Sequence, residues 1–491
     1  MRGLRLIAGA AVVAVAAVLA VSVRAEPSPL PLDAPDRLRT GVYAGPVDLG
    51  SDADGTGTPA AFANIRKTGA TFVRLSLYWP AIVGAEPRTG FNGANPDDTD
   101  YSWGALDQLV KRAVARHLEP IVSFWGVPTW ARTKGSTPPG GNPGPQLAAL
   151  KALATAAATR YSGTKPGLPR VRYWMVWNEP NFAFYLSPVF DKGKLVSPGL
   201  YRAMVNVFAD AVHGVRPDNR VIAGGLEPFT QEQPRAIGPL RFMRSLLCLP
   251  HNETGCRAKT KFDIWSTHPY TSGGPTHTAH NADDVSLGDL PEMRALLQQA
   301  WRLHRIAAPR EPEFWVTEFS WDSYPPDPGG VPMRLEVRWV AEALYRMWAS
   351  GVSLVVWLQI HDDQNYPGDD LHSGLYFNGP GGIATDRPKP ILNAFRFPFV
   401  AFRGPGGTTY WGRTPRSTPA IVTVELKVGT SRWRPIAVIR ANRNGVFKGV
   451  ARRTAKTGYV RARIGNDSSP SFSLVVPPDR PATPFGTGPR R

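Results

Sequence analysis

Residues 171–182 read VRYWMVWNEPNF. An apolar, aromatic run from Tyr173 to Trp177 ends in Asn178 and Glu179 and is closed by a proline, Pro180. This pattern predicts a buried strand with a carboxylate at its C-terminal end. Residues 313–321, EFWVTEFSW, repeat it and place Glu318 at the end of a second apolar run. An unpaired buried carboxylate is expensive, so an apolar strand that ends in Glu implies a partner or a use for it. Either Glu alone would suit a salt bridge with an Arg. The pair is harder to dismiss.

Outward from these two stretches, short apolar runs alternate with longer amphipathic ones between residues 40 and 400. Strands are predicted at 41–43, 71–77, 120–125, 173–177, 220–223, 262–266, 313–317 and 353–358. Helices are predicted at 59–68, 105–116, 146–161, 199–215, 240–247, 290–304 and 334–350. Repeated βα units of this number fit a (β/α)8 TIM barrel over 36–402. A doubly wound open sheet would give a similar pattern, but no Gly-rich nucleotide loop follows the first strand, and no cofactor is expected. In a barrel, strand ends on the face built by the βα loops carry the chemistry. The ends of strands four and seven face each other across that mouth.

Past Arg403 the texture changes. Gly404-Pro405-Gly406-Gly407 reads as a hinge, and short alternating strands follow at 421–428, 436–440, 446–450, 459–464 and 472–476, with Asn444-Gly445 as a hairpin signal. The expectation is a small C-terminal β-sandwich over 403–478 and a loose tail at 479–491. From Arg403 onward, 17 Lys and Arg stand against Glu425, Asp467 and Asp479, so +14 of the net +18 lies there. Outside a cell, such a module suits an anionic cell-wall or membrane surface, and nucleic acid is not expected. An Arg-rich composition that only keeps the module soluble explains the same charge.

The N-terminus carries Arg2 and Arg5, an uncharged apolar run from Leu6 to Val23, and a small-residue cleavage site at Ala25. That layout predicts a signal peptide over 1–25 and a secreted protein, although 18 apolar residues would also serve as an uncleaved anchor. Of the 491 residues only Cys248 and Cys256 are cysteines. In an oxidising compartment they are expected to form a disulfide, since two thiols alone make no metal site. Asp362, Asp363, Asp369 and Asp370 cluster after the eighth strand, but their spacing is not that of an EF-hand. No metal is expected.

Two glutamates in one cleft divide labour when one is protonated enough to donate to a leaving oxygen and the other stays ionised to attack the anomeric carbon. WNEPN followed by VTEF resembles the acid/base and nucleophile segments of clan A glycoside hydrolases, the retaining TIM-barrel group that includes families 5 and 39. The resemblance implies Glu179 as acid/base, Glu318 as nucleophile and Asn178 as a partner of the sugar 2-hydroxyl. In STHPY, His268 and Tyr270 match the clan's His-x-Tyr pair, whose Tyr bonds the nucleophile. In FVRLSLYW, Arg74 matches an Arg near the nucleophile, and in VVWLQI, Trp357 matches a sugar-stacking platform. SFWGVPTW, with Trp125, Pro128 and Trp130 where many family 5 members have a His, leans towards family 39. Trp79, Trp125, Trp130, Phe182, Phe184, Tyr185 and Trp321 are further candidates for aromatic walls against sugar faces. The function implied is hydrolysis of a β-linked glycan by a monomer. A barrel that only binds wall glycans, or a transglycosylase, are the alternatives.

Overall fold

Parallel strands covered on both faces need apolar side chains on both, and the predicted runs supply them. In the computed structural model, which describes residues 30–31, 33–44, 57–133, 141–231, 235–250, 254–362, 371–452, 455–478 and 480, these runs form one closed barrel. Its strands are β1 (Arg39–Ala44), β2 (Phe72–Tyr78), β3 (Glu119–Trp125), β4 (Tyr173–Met175), β5 (Arg220–Leu226), β6 (Ile264–Thr267), β7 (Glu313–Val316) and β8 (Val352–Trp357). They pair in sequence order, and β8 closes on β1 with Trp357 opposite Val42. The expected signal peptide, Asp363, Asp369, Asp370 and all of the tail but Arg480 lie outside the described residues.

Helices follow the strands in turn: α1 (Gly57–Lys67), α2 (Gly104–Ala115), α3 (Leu147–Arg160), α4 (Ser197–Val215), α5 (Pro239–Leu246), α6 (Leu290–Arg302), α7 (Met333–Ala349) and α8 (Pro390–Arg396). The last was not foreseen. The barrel interior is filled by Phe72, Ile121, Met175, Ile222, Ile264, Trp315, Leu354 and Val356. Below that layer Glu313 pairs with Arg37 at 3.1 Å and Arg39 at 2.6 Å, and the Arg39 guanidinium lies over the rings of Phe72 and Trp315. The N-terminal end of the barrel is therefore plugged, and the opposite mouth is left for the site.

Beyond the barrel the chain forms antiparallel sheets from β9 (Phe399–Gly404), β10 (Gly407–Arg413), β11 (Ile421–Lys427), β12 (Arg434–Arg440), β13 (Val446–Ala451) and β14 (Tyr459–Ile464). One sheet runs β9–β10–β13. The other runs β12–β11–β14 and is extended by the short strands Asp467–Ser468 and Phe472–Ser473. Two sequence readings change here. Gly404 to Gly407 is no hinge but the turn of the β9–β10 hairpin, with Gly404 opposite Gly407. Asn444-Gly445 is a turn, with Gly445 at φ +78°, but the strands it joins belong to different sheets. The module is seated firmly on the barrel. Trp411 packs against Tyr345 and Trp348 of α7, and the buried Arg413 reaches Thr40 of β1 and the Phe395 carbonyl at the end of α8.

Cys248 and Cys256 form the expected disulfide. Closing so short a loop is worth about 2–3 kcal/mol in the chain-entropy model. Among the described residues, no helix is long and apolar enough to cross a membrane.

Candidate active site

The chain leaves β4 through two residues in the left-handed region, Trp177 at φ +71° and Glu179 at φ +41°. Such backbone costs about 1–3 kcal/mol per residue and persists only where its surroundings impose it. Here they do. The Glu179 amide donates to the Gly225 carbonyl at 2.9 Å, the Trp177 indole to the Tyr185 carbonyl at 2.8 Å, and Tyr201 of α4 donates to the Val176 carbonyl at 2.6 Å. The Glu179 carboxyl is thereby turned into the mouth.

Glu318, two residues beyond β7, meets it from across the barrel. A carboxyl oxygen of each and a ring nitrogen of His268 all lie within 4.8 Å of one another. Tyr270 donates its hydroxyl to Glu318 Oε1 at 2.8 Å, and Arg74 Nη1 donates to Glu318 Oε2 at 2.9 Å. The second Arg74 nitrogen donates to Asn178 Oδ1 at 2.7 Å and to Ser123 Oγ at 3.2 Å. Its guanidinium rests 4.7 Å from the centre of the Tyr43 ring. His268 is fully buried, and its Nδ1 lies 2.9 Å from Glu179 Oε1. Room for that imidazole comes from Gly225. At φ +62°, a Cβ there would lie 2.4 Å from Met175 Cε and 3.3 Å from His268 Nε2.

These surroundings pull the two carboxyls apart in acidity. Glu179 is raised well above the usual carboxylate range, first by burial and then by the negative charge of Glu318, with Arg74 opposing. Burial works to raise Glu318 as well. There it is outweighed by His268 when charged, by Arg74 and by the Tyr270 hydroxyl, so Glu318 sits below its ordinary value. Burial pushes His268 down to about 4, leaving it neutral near pH 7. Between the two carboxyl pKa values the site therefore holds one acid and one carboxylate. By donor type Glu179, His268 and Glu318 resemble a metal trio. However, both Glu318 oxygens already accept hydrogen bonds, one of them from a guanidinium that a dication would have to displace.

No family model matches the sequence, and no curated protein matches it. By structure the chain is similar to a glycoside hydrolase family 30 subfamily 8 xylanase from Clostridium acetobutylicum, at 14% identity and TM-score 0.45, with 84% of this chain and 92% of that one covered. It is similar to Cel5A of Thermotoga maritima in complex with mannotriose, at 13% identity and TM-score 0.43, covering 73% and 98%. A calcium-binding mutant of Bacteroides uniformis β-glucuronidase 2 gives 12% identity and TM-score 0.40, covering 86% of this chain but 42% of that one. Identity this low says nothing of substrate.

The structure thus gathers Glu179, Glu318, Asn178, Arg74, His268 and Tyr270 into one site. It separates the tryptophans. Trp125 stands at the mouth, its ring 4.4 Å from that of Tyr78, and Tyr78 at the end of β2 and Phe184 in the loop after β4 are exposed. Trp357 is 1% exposed, packed against Phe319 and Phe395 with its indole donating to the Ser373 carbonyl, so no face is open for a sugar. It follows Val356, which fills the barrel interior, and the pleat turns it outward. Trp79 is 2% exposed. With Phe91, Tyr101 and Trp130 it lines a separate cavity of about 180 Å³. Trp321 is fully buried. Tyr43 and Ser123, which hold Arg74, and Glu227, at the end of β5, were not foreseen.

The Tyr270 hydroxyl has an effect that can be measured. Tyr270→Phe removes a hydrogen bond to a charged group, worth about 1.5–3 kcal/mol, so kcat/KM is expected to fall about tenfold to a hundredfold. Because the bond favours the ionised form of Glu318, its loss raises that pKa, and the acid limb of the pH–rate profile moves to higher pH. An unchanged acid limb would remove Tyr270 from that role.

Proposed function

We propose that the protein is an exported retaining glycoside hydrolase of the clan A type, cleaving a β-linked O-glycoside by double displacement. One observation carries the reading. Two carboxyls within 4.8 Å, one raised and one depressed in pKa, meet in the unplugged mouth of a barrel. Retaining glycosidases hold their carboxyl groups about 5–5.5 Å apart, against about 6.5–9.5 Å where a water must fit between.

In the first step the Glu318 carboxylate attacks the anomeric carbon. The bond to the leaving oxygen breaks, and Glu179 gives that oxygen its proton. In the second step Glu179, now a carboxylate, takes a proton from water, the water oxygen attacks the anomeric carbon, and Glu318 leaves as a carboxylate. Both groups return to their starting states. Arg74 holds Glu318 and Asn178 in one plane of hydrogen bonds, so the nucleophile and the proposed partner of the 2-hydroxyl move together. Trp125, Tyr78 and Phe184 offer apolar faces to neighbouring sugars.

The disulfide and the N-terminal pattern support export, and a single chain supplies every group the mechanism uses. The basic sandwich adds an exposed edge. On β12, Arg434 and Arg440 flank an exposed Val438, and Arg461 covers the Trp433 ring at 4.3 Å. That edge suits an anionic wall polymer or lipid surface.

The test is a screen of plant and bacterial-wall polysaccharides, followed by proton NMR of the first product formed. The β-anomer is expected before mutarotation. An initial α-anomer would rule out double displacement, and no turnover of any glycan would rule out the enzyme.

A further inference from the structure

Side chains alternate along the strands of the sheet β12–β11–β14, and those directly across a ladder share a face. Val422, Val424, Leu426, Val460 and Ala462 form the inward set and are fully buried. The other set faces out. Thr423 of β11 lies between Val438 of β12 and Arg463 of β14, Ile421 lies opposite Arg440, Glu425 opposite Arg461, and Lys427 opposite Tyr459.

This outer face is charged with one sign. Glu425 is the one carboxylate that these three strands carry, and it is buried, accepting from Arg461 Nε and Arg463 Nε at 2.8 Å each. The Arg461 guanidinium also lies 4.3 Å from the centre of the Trp433 ring, which holds it flat. Arg434 and Arg440 are exposed at the two ends of β12. Among these cations stand apolar side chains without cover: Val438 is 67% exposed, Ile421 57% and Tyr459 50%. A face that only kept the module soluble would carry polar side chains there, whereas exposed apolar groups rimmed by charge mark a contact surface.

We infer that this face binds a linear acidic polysaccharide, whose carboxylates pair with the arginines and whose sugar rings lie against Tyr459, Val438 and Ile421. The inference deepens the anionic-surface reading of the module by taking one partner from it, and it is independent of the chemistry in the barrel. The cations on the face are four arginines and a single lysine, Lys427, and the planar guanidinium fork matches a carboxylate with two parallel hydrogen bonds. The apolar positions select among anions. Sugar rings offer them C–H faces, which a polyol phosphate chain lacks. A bilayer fits less well, because anchoring there needs apolar side chains that reach below the headgroups. Val438 and Ile421 are shorter than the arginines around them, which would meet the headgroups first.

The test measures binding of the full-length protein to immobilised polygalacturonate, beside a neutral β-1,4-mannan, poly(glycerol phosphate) and phosphatidylglycerol vesicles. Polygalacturonate is expected to bind tightest, and more weakly as salt is raised. The double variant Arg434→Ser/Arg440→Ser should lose tenfold or more in affinity. Tyr459→Ala removes no charge, yet should lose threefold or more. All three positions are exposed, and an unchanged circular dichroism spectrum checks that the fold is kept. If poly(glycerol phosphate) or the vesicles bind as well as polygalacturonate, or if Tyr459→Ala and Val438→Ser both leave affinity unchanged, the inference is overturned and the wider anionic-surface reading stands. Equal binding of the neutral mannan, or no loss in the double variant, moves the contact off this face and overturns it too. Binding to none of the three anionic probes overturns both readings, and none of these outcomes touches the catalytic one.

Discussion

Glu318→Ala is expected to lower kcat on any substrate of the wild type by about 10⁵-fold or more, which is about 7 kcal/mol of barrier. The covalent intermediate needs a carboxylate on the far side of the anomeric carbon from the leaving oxygen, and of the nearby groups only Glu318 is held there in ionised form. Arg74 and Tyr270 both spend a donor on it. Substrate binding should survive, because the aromatic rim and Asn178 are untouched. The measurement is therefore kcat beside a dissociation constant for an uncleaved oligosaccharide. Removing the carboxylate also strands Arg74, which is 2% exposed. Breaking a buried pair in this way costs about 3–5 kcal/mol of stability. Glu318→Gln keeps the shape and much of the bonding, so a loss of turnover shared by both variants is chemical rather than structural. Near-normal turnover in either variant ends the assignment.

The barrel was legible because its parallel strands are contiguous apolar runs, which stand out at the level of single residues. Each predicted strand overlaps an observed one. The reading failed where one composition serves two structures. Gly404 to Gly407 suits a hinge or a tight hairpin equally, and only the pairing of β9 with β10 decides between them. β9 itself was hidden because Pro398 and Arg403 interrupt its apolar run. The two glutamates were legible for a physical reason: a carboxylate that ends an apolar strand is costly. The same criterion should have found Glu227. Gly224 and Gly225 looked like the end of the strand, whereas β5 runs on to Leu226 with both glycines at positive φ. Trp357 and Trp79 were misplaced because the sequence does not fix which way an aromatic ring leaves a strand end. The pleat and the neighbours fix that, and at Trp357 they point it at α8.

Glu179→Ala should behave differently, and the difference separates the acid/base from the nucleophile. General acid catalysis is worth about 10²–10⁴-fold. A loss of that size is expected on natural glycans, whose leaving alcohols need a proton. On a dinitrophenyl glycoside, whose leaving group does not, the first step should run nearly unimpaired and the second should become limiting, giving a burst followed by a slow phase. Azide, which needs no general base, then enters the space left by the side chain, attacks the anomeric carbon and restores turnover, with the product a β-glycosyl azide of retained configuration. The pH profile should change as well. Wild type loses activity at high pH, where the raised Glu179 gives up its proton, and at low pH, where the depressed Glu318 gains one. In Glu179→Ala on the activated substrate only the acid limb should remain. A burst with no azide rescue would leave Glu318 as the nucleophile and send the search for the acid elsewhere in the cleft. Glu227, just past the end of β5, also carries a raised pKa, and its Gln variant would then have to lose the alkaline limb instead.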